Sequence, residues 1–338
     1  MRILVTGGAG FVGSQYVRNL LDGAYQGYQD AEITVLDLLT YAGRRANLPA
    51  ADRRLTFVQG DIGNRGLLLD LLPGHDAVVH FAAESHVDRS LQDASPFVTT
   101  NVLGTQTLLE CCLHVGIERI VQVSTDEVYG SIAEGAWTEE HPLLPNSPYA
   151  ASKAAADLLA RAYHRSYGLP VVITRCTNNY GPYQHVEKVI PHFVTNLLTG
   201  QPVPLYGDGQ NVREWLHVAD HCRGVQLALE KGREGEIYHL SGGAELTNRE
   251  LTAALVELCG ASWDAVRFVA DRLGHDQRYC LDDGKARREL GYAAQVPFAS
   301  GLAAVVNWYR DNRTWWAEHT RGTRPDRENV GSNVAVPR

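Results

Sequence analysis

Tyr149 and Lys153 are four apart in Tyr149-Ala150-Ala151-Ser152-Lys153, and residues at i and i+4 are neighbours on a helix face. An adjacent ammonium favours phenolate and lowers the phenol pKa from its reference of about 10. Such a tyrosine takes the proton of an alcohol while hydride leaves the same carbon. Thr125 stands upstream, at the carboxyl end of an apolar run, where open α/β sheets hold their ligands. Asp126 and Glu127 follow directly. Oxidising an alcohol requires neither of them. Eliminating water next to an oxidised carbon requires a base for a carbon-bound hydrogen and an acid for the departing hydroxyl. Like-charge repulsion and burial keep one of two such carboxyls protonated near neutral pH.

These groups need elements that bring a hydride acceptor to them. Short apolar runs at 2–6, 33–37, 55–59, 77–81, 119–124 and 171–175 predict strands buried on both faces. Helical segments at 11–22, 65–72, 95–115 and 148–167 alternate with them. That alternation predicts an α/β fold with a doubly wound parallel sheet. Between the first strand and first helix, Gly8, Gly10 and Gly13 satisfy G-x-G-x-x-G, and Gly7, Gly10 and Gly13 satisfy G-x-x-G-x-x-G. In this context the glycines permit a tight turn and close approach to a pyrophosphate, which the helix N-terminus attracts. Asp37 ends the second strand. A carboxylate there accepts from an adenosine ribose and repels a 2′-phosphate, which favours NAD over NADP. Asp61 follows the third strand, and Phe81-Ala82-Ala83 the fourth, where small residues let a cofactor lie close.

After about Tyr180 the rhythm changes. Pro182, Pro191, Pro202 and Pro204 interrupt the chain, and Gly207 and Gly209 mark a turn. Helical patterns at 218–231, 248–259 and 300–312 and a strand at 235–240 predict a smaller α+β domain. Residues 1–180 are expected to hold cofactor and catalysts, and 181–316 the substrate. Residues 317–338 lack an apolar stripe and are expected to form a flexible tail. Leu302, Val305, Val306 and Tyr309 share one helix face, with Trp315 and Trp316 expected to dock that end on the body.

The chain of 338 residues carries 31 Lys+Arg against 39 Asp+Glu, a net charge of −8. That balance argues against a nucleic-acid partner. No apolar run reaches the roughly 18 residues of a membrane span. The start shows no signal-peptide pattern, and six scattered cysteines without C-x-x-C suit a reducing, cytoplasmic setting. His217 and His221 have helical spacing but no evident third ligand, so no metal is expected. His80, inside a strand, reads as a hydrogen-bonded core residue.

Ser124-Thr125-Asp126-Glu127-Val128-Tyr129-Gly130, Ala82-Ala83-Glu84-Ser85-His86-Val87-Asp88-Arg89-Ser90, Asn178-Asn179-Tyr180-Gly181-Pro182-Tyr183, Glu187-Lys188-Val189-Ile190-Pro191 and Arg213-Glu214-Trp215 add a further signal. With the glycines and Tyr149/Lys153, they resemble the extended short-chain dehydrogenase/reductases, and among these the NAD-dependent dTDP-glucose 4,6-dehydratases. The resemblance runs from about Met1 to Trp316. Val12 stands where isoleucine is commoner, and Thr177 precedes the asparagine pair.

The resemblance implies a Rossmann-type fold and tightly bound NAD. It adds Phe11, Val12, Thr40, Ile62, Ser85, Thr100 and Asn179 to the cofactor contacts, beside Tyr149 and Lys153. Thr125, Asp126, Glu127, Tyr149 and Lys153 become the catalytic set. Tyr149 takes the glucose 4-hydroxyl proton as hydride leaves carbon 4, Glu127 takes the carbon 5 proton, Asp126 protonates the leaving 6-hydroxyl, and hydride returns to carbon 6. Arg213 and Arg272 are expected at the dTDP-glucose diphosphate, with Lys188 and Asn178 nearby. Ser85, Thr125, Pro191, Pro204, Tyr206 and His275 are implied substrate contacts. Asn248 reads as both a helix N-cap and a nucleotide contact. A homodimer is also implied, through 95–115 and 148–167 as a four-helix contact, with Val102, Leu109 and Cys112 able to share a face. A nucleotide-sugar 4-epimerase would share the glycines, Asp37, Tyr149 and Lys153 without needing the two carboxyls. Dehydratases of CDP- or GDP-sugars and a non-catalytic NAD-binding sensor are the other readings.

Overall fold

A computed structural model describes residues 1–320. The predicted strands form, with ends shifted by at most one residue: β1 (Arg2–Thr6), β2 (Glu32–Asp37), β3 (Leu55–Gln59), β4 (Ala77–His80), β5 (Arg119–Thr125) and β6 (Val171–Cys176). The chain continues with β7 (Asn178–Tyr180), β8 (Val203–Tyr206), β9 (Val212–His217), β10 (Ile237–Leu240), β11 (Ala244–Thr247) and β12 (Val266–Val269). The main sheet has seven strands in the order β10-β6-β5-β4-β1-β2-β3. Every pair in it is parallel. This is the doubly wound α/β arrangement expected from strand–helix alternation.

Helices Phe11–Leu21 and Val218–Lys231 cover one face, packing Tyr16, Val17, Leu20, Val225 and Leu229 against Ile3, Val5 and Val79. Helices Arg65–Leu71, Thr105–Val115 and Pro148–Tyr167 cover the other, over Leu4, Val78, Ile120 and Ile173. His80 is fully inside, bridging Thr6 Oγ1 at 2.6 Å and Thr105 Oγ1 at 3.0 Å. These bonds make it the hydrogen-bonded core histidine expected.

Three departures from the sequence reading have physical causes. The strand expected in the second part is β10, and it joins the main sheet beside β6. All four of its residues are buried, and a run covered on both faces carries no periodicity to say which sheet it belongs to. Helix Val218–Lys231 returns with it to the first core, so the chain crosses back after residue 180. The helix expected over 95–115 is continuous but not uniform: Val98–Gly104 takes the wider π turn between Ser95–Phe97 and Thr105–Val115. Leu109 and Cys112, expected on a partner-facing stripe, are 1% and 0% exposed and pack inside the chain's own core.

A second core gathers Val189–Leu198, Asn248–Cys259 and Phe298–Asp311 around Trp215 and Tyr180. Leu302, Val305, Val306 and Tyr309 are buried there as spaced. Strands β7, β9 and β11 form one small sheet and β8 and β12 another. The last helix among the described residues, Arg313–Thr320, runs past the expected boundary at 316. The rest of the tail, 321–338, lies outside the described residues. No helix among the described residues is long and apolar enough to cross a membrane.

Candidate active site

A cleft of about 310 Å³ opens at the carboxyl ends of β1, β2, β4 and β5. The glycine turn forms its floor, and backbone packing explains why glycine is needed. A Cβ on Gly7, whose φ is +68°, would sit 2.5 Å from Ala82 N. One on Gly13 would sit 2.3 Å from Gly7 O. Gly10 is the N-cap of helix Phe11–Leu21 and offers no side-chain cap, so the first-turn N–H groups of Phe11, Val12 and Gly13 are the kind that suit an anion. Asp37 accepts from Ala9 N at 2.9 Å and Leu39 N at 2.8 Å. A carboxylate keeps acceptor capacity beyond two such bonds, so Asp37 orders the turn with capacity left over that suits a ribose. These features fit a dinucleotide. Every residue expected to hold one lines the cleft: Gly7, Gly10, Phe11, Val12, Gly13, Asp37, Thr40, Asp61, Ile62, Phe81, Ala82, Ala83, Ser85, Thr100, Tyr149, Lys153 and Asn179.

At the inner end of the cleft stand Thr125, Asp126 and Glu127, at the end of β5 and on the 3-10 turn Asp126–Tyr129 that follows it. Tyr149 and Lys153 face them from helix Pro148–Tyr167, started by Ser147, whose hydroxyl accepts from Ala150 N at 3.1 Å. Thr125 Oγ1 donates to Asp126 Oδ1 at 3.1 Å and accepts from Glu127 N at 3.3 Å. Burial, then the neighbouring Glu127, pushes the Asp126 carboxyl well above its ordinary value. Its Oδ2 is buried without a partner. Burial raises Glu127 too, but Arg272, Lys188 and Arg213 oppose the rise. The two carboxyls therefore differ: burial and its neighbour favour the protonated form of Asp126, and Glu127 sits among cations that favour its ionised form.

Burial first, and then Glu127, push the Tyr149 phenol well above its ordinary value. Lys153 Nζ donates to Val123 O at 2.7 Å, and burial lowers its own pKa against the pull of Asp157. Burial thus moves the two groups of the pair in opposite directions, the phenol up and the ammonium down.

A second cavity, about 200 Å³, continues from the first, sharing Glu127, Asn178 and Lys188 with it. Arg213, Arg272, Pro204, Tyr206, Asn248 and His275 line it as expected. Arg213 is held by Asp276 O at 2.8 Å and lies 4.3 Å over the Tyr279 ring. Arg272 Nη1 is 3.7 Å from Asp88, and its buried Nε is without a partner. Lys188 Nζ donates to Ser85 O at 2.5 Å. Ser85 and Thr125 line the first cavity only. Pro191 is buried within helix Val189–Leu198 and lines neither cavity.

Asn248 is corrected in one respect. Thr247 is the N-cap, in a capping box with Glu250, and Asn248 is the first helical residue. The fragment T-x-x-E carries that signal. Sequence reasoning missed Tyr279, Trp215, Thr252 and His86 in the second cavity and Gln184 and His221 in the first. No spacing links Tyr279 to Arg213; only the fold brings them together. His221 is 1% exposed with neither ring nitrogen bonded, and burial drops its pKa to about 3. His217 Nδ1 instead caps its own helix, accepting from Ala219 N at 3.2 Å.

Residues 4–305 match the family model described as GDP-mannose 4,6 dehydratase. The dTDP-glucose 4,6-dehydratase of Streptomyces niveus is 60% identical over 318 residues, covering 94% of this chain and 95% of that one. The crystal structure of DesIV (dTDP-glucose 4,6-dehydratase) from Streptomyces venezuelae, with NAD and TYD bound, is similar at TM-score 0.93 and 66% identity, covering 94% of this chain and 99% of that one. The dTDP-glucose 4,6-dehydratase of Bacillus anthracis, solved in complex with NAD, is similar at TM-score 0.87 and 45% identity, covering 94% and 99%.

Proposed function

Since this chain belongs to the NAD-dependent nucleotide-sugar dehydratases that the GDP-mannose 4,6 dehydratase model describes, we propose that it is a dTDP-glucose 4,6-dehydratase. It converts dTDP-glucose to dTDP-4-keto-6-deoxyglucose and water, a hydro-lyase step that opens deoxysugar synthesis. One observation carries this reading over a 4-epimerase. Two adjacent carboxyls stand at the inner end of the cleft: Asp126, pushed well above its ordinary value by burial, and Glu127, which lines both cavities beside Arg213, Arg272 and Lys188.

NAD, when bound, supplies a hydride acceptor for carbon 4 and a donor for carbon 6, with a cationic ring that favours ionised Tyr149. Its diphosphate suits the N–H groups of Phe11, Val12 and Gly13, and its adenosine ribose suits Asp37. Tyr149 takes the proton of the sugar's 4-hydroxyl as the hydride leaves. The resulting ketone acidifies the hydrogen at carbon 5, and Glu127 takes it. Asp126 protonates the 6-hydroxyl, which departs as water, and Glu127 returns its proton to carbon 5. The proton balance then leaves Asp126 one short and Tyr149 one over. Thr125 donates to Asp126 and lines the same cleft as Tyr149, so its hydroxyl is the group through which the pair would reset. Arg213 and Arg272 suit the substrate diphosphate, where guanidinium meets phosphate oxygens in pairs. The test is dTDP-glucose deuterated at carbon 4. Loss of one water with deuterium recovered at carbon 6 is expected; deuterium washed into solvent refutes the scheme. Parallel incubations with CDP- and GDP-glucose check the base preference.

The protein is further proposed to be a cytoplasmic homodimer. All six cysteines are free thiols, which suits a reducing compartment. Val98, Leu103, Leu158 and Tyr167 are 48%, 56%, 52% and 63% exposed, apolar surface on the two segments of the expected four-helix contact. These, and not Leu109 and Cys112, would meet the partner. Sedimentation velocity is expected to give a dimer, and Leu103→Glu with Leu158→Glu a monomer.

A further inference from the structure

The loop after β2 borders the cofactor cleft through Leu38, Thr40, Ala42 and Gly43. It is tied down from an unexpected direction. Arg44 N and Asn47 Nδ2 both donate to the Ala9 carbonyl, each at 2.9 Å. Ala9 lies within the glycine turn, and its own N–H is held by Asp37 at 2.9 Å. Asn47 is 2% exposed, and its remaining amide oxygen accepts from Trp315 Nε1 at 3.0 Å. Arg44 Nη1 donates back to the Trp315 carbonyl at 2.8 Å. Trp315 belongs to the last described helix, Arg313–Thr320, and does not line the cleft. It packs edge-on against Tyr183 at 5.6 Å, and Arg18, which lies 4.2 Å over Tyr183, donates to Asn47 O at 2.5 Å. Two hydrogen bonds thus connect the far carboxyl-terminal helix to the turn that approaches the dinucleotide.

We propose that Trp315 is a positioning residue for the cofactor: its indole N–H orients Asn47, and Asn47 with Arg44 fixes the Ala9 carbonyl and so the shape of the glycine turn. This rests on the reading of the cleft as a dinucleotide site. An amide left to rotate exchanges its N–H for other partners, and a turn that must hold a diphosphate by backbone N–H groups loses affinity when it is less ordered beforehand. The effect falls on how long NAD stays bound, since affinity differences at one site reside mostly in the dissociation rate. Retention matters here because hydride leaves and returns within one turnover.

The experiment chases full-length holoenzyme with excess isotopically labelled NAD and follows exchange of the bound cofactor by mass spectrometry. Trp315→Phe, which keeps an aromatic ring and removes the N–H, is expected to exchange about fivefold faster, the worth of one hydrogen bond. Asn47→Ala is expected to exchange about tenfold faster. If Trp315 acts through Asn47, the double variant exchanges no faster than Asn47→Ala alone. Arg310→Ala breaks the bond from the preceding helix to Leu258 O and serves as the control: it is expected to lower Tm without changing exchange. Unchanged exchange in Trp315→Phe, fully additive effects in the double variant, or equal acceleration in Arg310→Ala would each overturn the proposal while leaving the cofactor site standing. A wild-type protein with no bound NAD would remove the cofactor reading and this proposal together.

Discussion

Asp126→Asn combined with Glu127→Gln is expected to slow turnover of dTDP-glucose by about 10³-fold or more while bound NADH accumulates. Each carboxyl carries a proton transfer of the kind usually worth about 10²–10⁴-fold. Neither is needed to remove the 4-hydroxyl proton, so oxidation proceeds and elimination stops. Absorbance of reduced cofactor during a single turnover measures the first step, and water loss measures the second. Turnover near the wild-type rate, or loss of oxidation together with elimination, would contradict the assigned roles.

The same assignment sets the pH profile of the wild-type kcat. The acid limb reports loss of the ionised base and lies above the ordinary carboxylate range, because burial raises Glu127. The alkaline limb reports ionisation of the acid, which burial and Glu127 push well upward in Asp126. Both limbs belong to the pair as coupled titrations. The linkage also supplies a folding control. A carboxyl whose folded pKa is raised contributes its full stability only below its unfolded value of about 3.9 and loses it as pH rises toward the folded pKa. Asp126→Asn removes that loss, so its Tm at pH 8 is expected to be no lower than wild type.

Gly13→Ala is expected to abolish stable cofactor binding in a protein that still folds. The added Cβ would lie 2.3 Å from Gly7 O and 2.9 Å from Gly8 Cα. Both contacts are with backbone, so no rotamer change relieves them. Helix Phe11–Leu21 must instead shift from the turn, carrying its free N–H groups away from the diphosphate. Hydrogen bonds to a charged group are worth about 1.5–3 kcal/mol each, and losing two weakens NAD by about 10²–10⁴-fold. NAD per chain after gel filtration, with far-UV circular dichroism as the check on folding, measures this. An alanine variant that keeps one NAD per chain would show that the diphosphate does not sit on this turn.

The local reading succeeded where a residue's task depends on its immediate neighbours in the chain. The glycine turn is legible because strand, tight turn and helix start are consecutive, and each position meets its backbone contact within a few residues or across one strand. Tyr149 and Lys153 are legible because a helix puts i and i+4 together. The adjacency of Asp126 and Glu127 announces an acid and a base, but not which is which. That division depends on Arg272, Lys188 and Arg213, which stand beside Glu127 only because separate segments of the second core close over it. Charge at a distance has no signature in spacing. The same limit applies to Tyr149: spacing shows the neighbouring ammonium but not the burial that raises the phenol. It also explains β10, whose uniformly buried residues could sit in either sheet until helix Val218–Lys231 returned to the first core. Chemistry types, the cofactor turn and the order of strands are thus properties of the chain itself, because they rest on local geometry. The directions of the pKa shifts, the pairing of Arg213 and Arg272 in the second cavity and the tie from Trp315 to the glycine turn belong to the tertiary structure, because burial and long-range contact exist only once the chain has folded.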